Sequence, residues 1–238
     1  MTEISTHPND KGQDGLANRT NKLRAGVLGA NDGIVSTAGL VLGVAGATVE
    51  RAPILTAGLA GLVAGAMSMA VGEYVSVSTQ RDTERALLAK ERAELAADPE
   101  GELLELAAIY QHKGLTPELA HEVAVQLSQD GNAFRAHAEA ELGIDPHAMV
   151  SPWSAAISSF VAFTIGALLP LIAILVPAPS YRVPVTFAAV LIALVITGSV
   201  SARLGGARRR EAIIRVVVGG ALAMAITYGI GHLIGRSL

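Results

Sequence analysis

Residues 53–97 read PILTAGLAGLVAGAMSMAVGEYVSVSTQRDTERALLAKERAELAA, and this stretch decides the fold. Between Ala52 and Ser78 the only charge is Glu73. At about 1.5 Å per helical residue, that length crosses a bilayer. Neither Gly nor Pro occurs between Tyr74 and Ala97. The helix is therefore expected to run past the membrane surface through Gln80, Arg81 and Asp82 and to stop at Asp98 and Pro99, because a proline removes a backbone donor and crowds the preceding turn. One element begins as a membrane span and ends as a charged rod in water.

Side chains on this rod are placed by turning about 100° per residue. Met69, Gln80, Glu84, Leu87 and Glu91 fall within roughly 40° of the line through Glu73, and Glu94 lies about 60° from it. Leu87, Leu88 and Leu95 share that half of the helix, whereas the other half is mostly Ala, Arg and Asp82. If the leucines mark the packed side, the glutamates are packed as well, and packed carboxylates need protons, partners or a metal.

The rest of the composition agrees with a membrane protein. Hydrophobic residues make up 51% of the 238, and the mean hydropathy is +0.45, too apolar for a water-soluble domain of this size. A net charge of -3 gives no basic surface for nucleic acid. With no cysteine, disulfides, thiolate metal sites and cysteine catalysis are excluded, so metal chemistry must use oxygen, nitrogen and thioether ligands.

Outward from the rod, residues 1–21 are polar and are read as a disordered cytosolic tail. Residues 22–79 hold two antiparallel spans: the first covers residues 25–49, with Asp32 as its single charge, and the second starts at Pro53. Residues 80–150 form a helical domain divided at Pro99, Gly114 and Gly131, where Thr116 and Pro117 give an N-cap followed by proline at the first helical position. Residues 151–238 carry three more spans, at 155–176, 184–202 and 213–235. Most basic residues near the span ends, among them Arg24, Arg81, Arg203 and Arg208, fall on one side, which places the N-terminus and the helical domain in the cytosol.

Two constellations could carry chemistry. Asp32 and Glu73 are equally far along the chain from Arg24 and Arg81. On antiparallel spans this puts both acids about 12 Å inside the inner boundary, with Met69 one turn deeper. Acids at such depth are costly and mark ion pathways. Two carboxylates with a thioether suit a divalent transition ion better than Mg²⁺ or Ca²⁺, which favour all-oxygen shells. Met67 faces another way and is read as packing. In the helical domain, Glu91 with Glu94, Glu102 with Glu105, and His137 with Glu141 are spaced to share helix faces, and Glu and His clusters inside helical bundles are the arrangement that metal sites use. Glu118 and His121 form a lone Glu-x-x-His; His112, His121 and His147 are read as solvated.

With these residues placed, the sequence resembles the vacuolar iron transporter family. The resemblance rests on Leu28-Gly29-Ala30-Asn31-Asp32-Gly33-Ile34-Val35-Ser36 and on Gly65-Ala66-Met67-Ser68-Met69-Ala70-Val71-Gly72-Glu73-Tyr74-Val75-Ser76, continuing to Gln80-Arg81-Asp82. It implies an all-α membrane protein of five transmembrane helices, the second extending into the cytosol, with a cytosolic helical metal-binding domain between the second and third. It further implies a homodimer with the path near its axis, exporting Fe²⁺ from the cytosol against protons, and no enzyme activity. Mn²⁺, Zn²⁺ and Co²⁺ are further candidate ions, and a bacterial inner membrane is the expected location. By motif, Asp32, Met69 and Glu73 match the membrane path, and Glu91, Glu94, Glu102 and Glu105 match the domain's ligands. Glu141 supplies the glutamate before Leu142 and Gly143, while His137 and Ala138 stand where the family has a Met pair. The competing expectation is a membrane-anchored metal-binding or ferroxidase-like protein, in which the spans only anchor the helical domain.

Overall fold

The structure, a computed structural model, describes the backbone of residues 13–237 and side chains from residue 25 onward. Every regular element among the described residues is helical: α1 (Gln13–Ala47), α2 (Arg51–Ala97), α3 (Pro99–His112), α4 (Pro117–Leu127), α5 (Ala133–Ala140), α6 (Pro152–Leu175), α7 (Arg182–Gly205) and α8 (Arg209–Ser237). Five stretches are long and apolar enough to cross a membrane: Ala25–Ala47 of α1, then α2, α6, α7 and α8. The protein is a multi-pass membrane protein. α2 is unbroken over 47 residues, as the lack of Gly and Pro beyond Tyr74 requires.

The expected tail is corrected at its boundary. Helical backbone starts at Gln13 and not after residue 21, since no proline separates Gln13 from the span and a formed helix extends cheaply in the N-terminal direction. Residues 1–12 of that expected tail lie outside the described residues.

The chain forms two compact units, one of Arg19–Val75 with Pro152–Leu238, the other containing Ser76–Ser151. In the first, α1 is the central helix, and glycines let its neighbours approach. A Cβ on Gly33 would run into the backbone carbonyl of Phe163 on α6, and one on Gly231 of α8 would meet the carbonyl of Gly43. Tight packing through small residues is how helices associate in lipid, where no hydrophobic effect drives them together. The core of this unit joins Ile34, Val41 and Leu42 of α1 to Ile54, Leu171, Ile174, Leu194 and Met224. Arg182, itself buried, donates from Nη1 to the Val49 carbonyl at 2.9 Å, tying the α1–α2 turn to the start of α7.

One face of α2 is left uncovered within the chain. Leu55, Leu59, Val63, Met67, Val71 and Val75 are all exposed at four-residue intervals. Beside them runs a second exposed row of small residues, Thr56, Ala60, Ala64, Ser68, Gly72 and Ser76. Met67, expected in packing, is 53% exposed on this face.

In the second unit, Asp98 caps α3 by accepting from Gly101 N at 2.9 Å. Thr116 caps α4 through Leu119 N at 3.4 Å, with Pro117 at the first helical position. Between α4 and α5 the chain reverses through Asp130 and Gly131, whose φ of 57° and 77° are left-handed. Leu106, Ala107 and Ala124 form the small core. Arg92 of α2 lies 4.3 Å from the ring centroid of Phe134 on α5.

Candidate functional site

The strongest convergence of polar groups in the helical unit surrounds His137. α5 carries His137 on its buried face, where its Nδ1 lies 3.0 Å from Glu91 Oε1 on α2, 3.5 Å from Glu102 Oε2 on α3 and 3.9 Å from Glu141 Oε2 beyond α5. Glu91 and His137 are 2% and 1% exposed. Despite the short separation, Glu91 Oε1 and His137 Nδ1 do not meet hydrogen-bond geometry and have no other partner. Two buried polar atoms left without a hydrogen-bond partner are groups that a bound ion would satisfy. Donor atoms that hold one ion at about 2.1 Å lie roughly 3.0 to 3.4 Å apart in octahedral or tetrahedral geometry. The 3.0 and 3.5 Å separations fit that spacing, and one ligand atom from each of Glu91, Glu102 and His137 lies within 4.8 Å of the others.

The electrostatics describe a site short of positive charge. Burial, and then the neighbouring carboxylates of Glu141 and Glu102, push Glu91 up to about 7. Glu102 is likewise raised, first by burial and then by Glu105, with His137 opposing. A metal ion would relieve this stress by favouring the ionised forms.

The sequence-derived ligands separate into those brought together and those left outside. Glu91, Glu102, His137 and Glu141 converge. Glu94 is drawn into an ion pair with Lys90 at 2.7 Å, and Glu105 is exposed on α3. The i,i+3 spacing puts each pair on one side of its helix, but a buried site accepts only the member aimed at the bundle axis. His112, Glu118, His121 and His147 are exposed and separate from the cluster.

Within the membrane unit, a cavity of about 260 Å³ is lined by Asp32, Ser36, Thr37 and Leu40 of α1, Gly61, Gly65, Ser68 and Met69 of α2, and Phe163 of α6. Asp32 and Met69 thus share one wall space. Glu73, half-buried one turn beyond Met69, does not line this cavity. Tyr74 packs on Trp153 with ring centroids 4.9 Å apart, as aromatic residues do at a membrane boundary.

Ser36, Thr37, Ser68 and Phe163 line the cavity without having been singled out from sequence. The hydroxyls could have been found as polar residues one turn from Asp32 or beside Met69, whereas the aromatic ring reaches the site only through helix crossing. Ser36 donates from Oγ to the Asp32 carbonyl at 2.6 Å.

Residues 23–232 match the model of the VIT family. The chain is 48% identical over 212 residues to a vacuolar iron transporter of Acanthamoeba castellanii, covering 89% of this chain and 78% of that protein. It is 38% identical over 219 residues to vacuolar iron transporter homolog 5 of Oryza sativa subsp. japonica, covering 92% and 83%, and 37% identical over 218 residues to vacuolar iron transporter homolog 4 of Arabidopsis thaliana, covering 91% and 86%. A family match across both units, the cavity and the buried cluster together lead to one conclusion: the chain belongs to the VIT family.

Proposed function

We propose that this protein is a divalent transition-metal transporter that carries Fe²⁺, with Mn²⁺ as a second cargo, out of the cytosol in exchange for protons. The observation that carries the reading is the cavity between α1, α2 and α6, where an aspartate carboxylate and a methionine thioether line the same space inside membrane spans. An intramembrane acid on a pathway is the usual basis of ion transport. The relatives' names, vacuolar iron transporter and its homologues, support iron as the cargo.

Asp32 takes the metal with Met69, and Glu73 completes the path toward the cytosolic end. Because metal and protons compete for the same carboxylate oxygens, an arriving cation displaces protons and a proton-rich far side reloads the acid as the metal leaves. An inward proton gradient then drives metal outward. Met69 carries no proton in this range and tunes metal choice. Glu91, Glu102, His137 and Glu141 bind Fe²⁺ on the cytosolic side, with Glu94 and Glu105 adding negative potential around them. The basic residues at the α7–α8 connection favour this orientation by the positive-inside rule, and a bacterial inner membrane is the proposed location.

The working form is a homodimer. Asp32, Leu40 and Ser68 are exposed in a single chain, and an acid facing lipid is costly. The uncovered small-residue row of α2 is suited to close packing against a second copy, which would wall the cavity and put the path near the dimer axis.

The test is the purified chain in liposomes holding a pH dye, with metal and pH gradients imposed separately. Metal uptake coupled to proton movement and lost in Asp32→Asn is expected; metal flux indifferent to both would overturn the proposal. The buried Glu91 and His137 cluster also favours a second reading, a membrane-anchored metal-binding protein. That reading predicts metal binding by the helical unit with no flux through the spans.

A further inference from the structure

We infer that His137 is a specificity-determining ligand that makes the helical-unit site discriminate for Fe²⁺, Co²⁺, Ni²⁺ and Zn²⁺ against Mn²⁺, Mg²⁺ and Ca²⁺. This rests on the metal-binding reading of that unit and goes further by naming the class of ion it accepts.

Three features carry it. The donor set around the shared point is one imidazole nitrogen with carboxylate oxygens, the nearest being Glu91 Oε1 at 3.0 Å and Glu102 Oε2 at 3.5 Å from Nδ1. An imidazole ligand favours the later first-row ions, whereas all-oxygen shells suit Mg²⁺, Ca²⁺ and Mn²⁺. Second, Ca²⁺ takes six to eight oxygen ligands, whereas one of the three donors gathered here is a nitrogen. Third, His137 is 1% exposed and Glu91 is 2% exposed, so a hydrated ion such as Mg²⁺, which keeps several waters, would have to shed them to enter. The ring is buried on α5, as is Ala138 beside it, within reach of carboxylates from α2 and α3. Nδ1 is the ring nitrogen that faces the carboxylates.

The experiment uses the full chain in detergent, with Co²⁺ and Mn²⁺ binding followed by equilibrium dialysis. The double variant Glu91→Gln with Glu102→Gln defines the contribution of this site by subtraction from wild type. For wild type, the site should hold Co²⁺ at least about tenfold more tightly than Mn²⁺. In His137→Glu, which offers an oxygen instead, and in His137→Gln, which keeps size and neutrality, that preference should shrink by roughly tenfold, and the visible Co²⁺ bands should shift. Helix content and elution volume identify a misfolded variant. Wild type alone can overturn the inference, since a ratio near unity contradicts it. If the glutamine pair abolishes binding but both His137 variants keep the wild-type ratio, the site exists and His137 does not select. If the glutamine pair removes no bound metal, the metal-binding reading itself fails and the selectivity falls with it.

Discussion

His137 Nδ1 and Glu91 Oε1 lie 3.0 Å apart, both atoms buried, and yet form no hydrogen bond. The cost of this arrangement falls on Glu91, whose carboxyl is pushed up to about 7 by burial and the adjacent carboxylates. Because the folded state holds that proton more tightly than the unfolded chain does, the group's stabilising contribution is complete below its ordinary value of 4.5 and is lost as pH rises through about 7. Metal-free protein should therefore melt at a lower temperature at pH 8 than at pH 5.5, and Glu91→Gln should flatten the difference. Added Co²⁺ should reverse the trend, raising the melting temperature more at pH 8, since it binds the ionised carboxylates. Parallel melting curves with and without metal at every pH would contradict this.

The two acidic pairs should not behave as equals. Glu102 faces His137 and Glu105 is exposed, so Glu102→Ala should weaken Co²⁺ binding by at least the roughly 10- to 100-fold that loss of an outer-shell partner costs, with Glu105→Ala having a much smaller effect. Titration calorimetry on the two variants separates them. Equal losses would place the ion elsewhere on α3.

In the membrane unit, Asp32→Asn should abolish metal flux in liposomes while the protein elutes and melts like wild type, because Asp32 lines the cavity and is not a partner in the buried core. Met69→Ala should alter the relative rates for Fe²⁺, Mn²⁺ and Co²⁺ more than it alters proton dependence. An Asp32→Asn protein that transports at the wild-type rate would refute the assigned path.

Gly33→Ala tests the helix crossing. An added methyl meets the Phe163 backbone, which cannot rotate away as a side chain could, so α1 and α6 must separate. A loss of about 1–3 kcal/mol is expected, seen as a lower midpoint in thermal unfolding in detergent. Gly72→Ala, where a Cβ meets nothing within a single chain, should leave that midpoint within experimental error.

Bulk on the uncovered face of α2 should act on assembly and not on folding. Ala64→Trp fills the small-residue row at an exposed position, so the monomer should fold and light scattering should report half the wild-type mass. Wild-type mass for that variant would move the dimer contact to another face.

How much of this was legible in the sequence depends on whether the physics is local. Span number, the unbroken α2 and the Asp98 and Thr116 caps follow from hydropathy runs, the absence of Gly and Pro, and residues acting within one turn of themselves. The clustering of Asp32 and Met69 was readable too, as an acid and a thioether on adjacent apolar spans. Sequence spacing could not tell Glu102 from Glu105, because both lie on one side of α3 and only the direction of α5 decides which meets His137. Nor could it tell that Glu73, unlike Asp32 and Met69, does not line the cavity, because that depends on how α1 and α2 cross. Phe163 and Ser68 enter the cavity because glycines at 33 and 65 allow α1, α2 and α6 to cross closely. The sequence by itself determined which residues are polar in apolar surroundings; the tertiary structure alone decided which of them face one another, since a helix fixes directions only about its own axis.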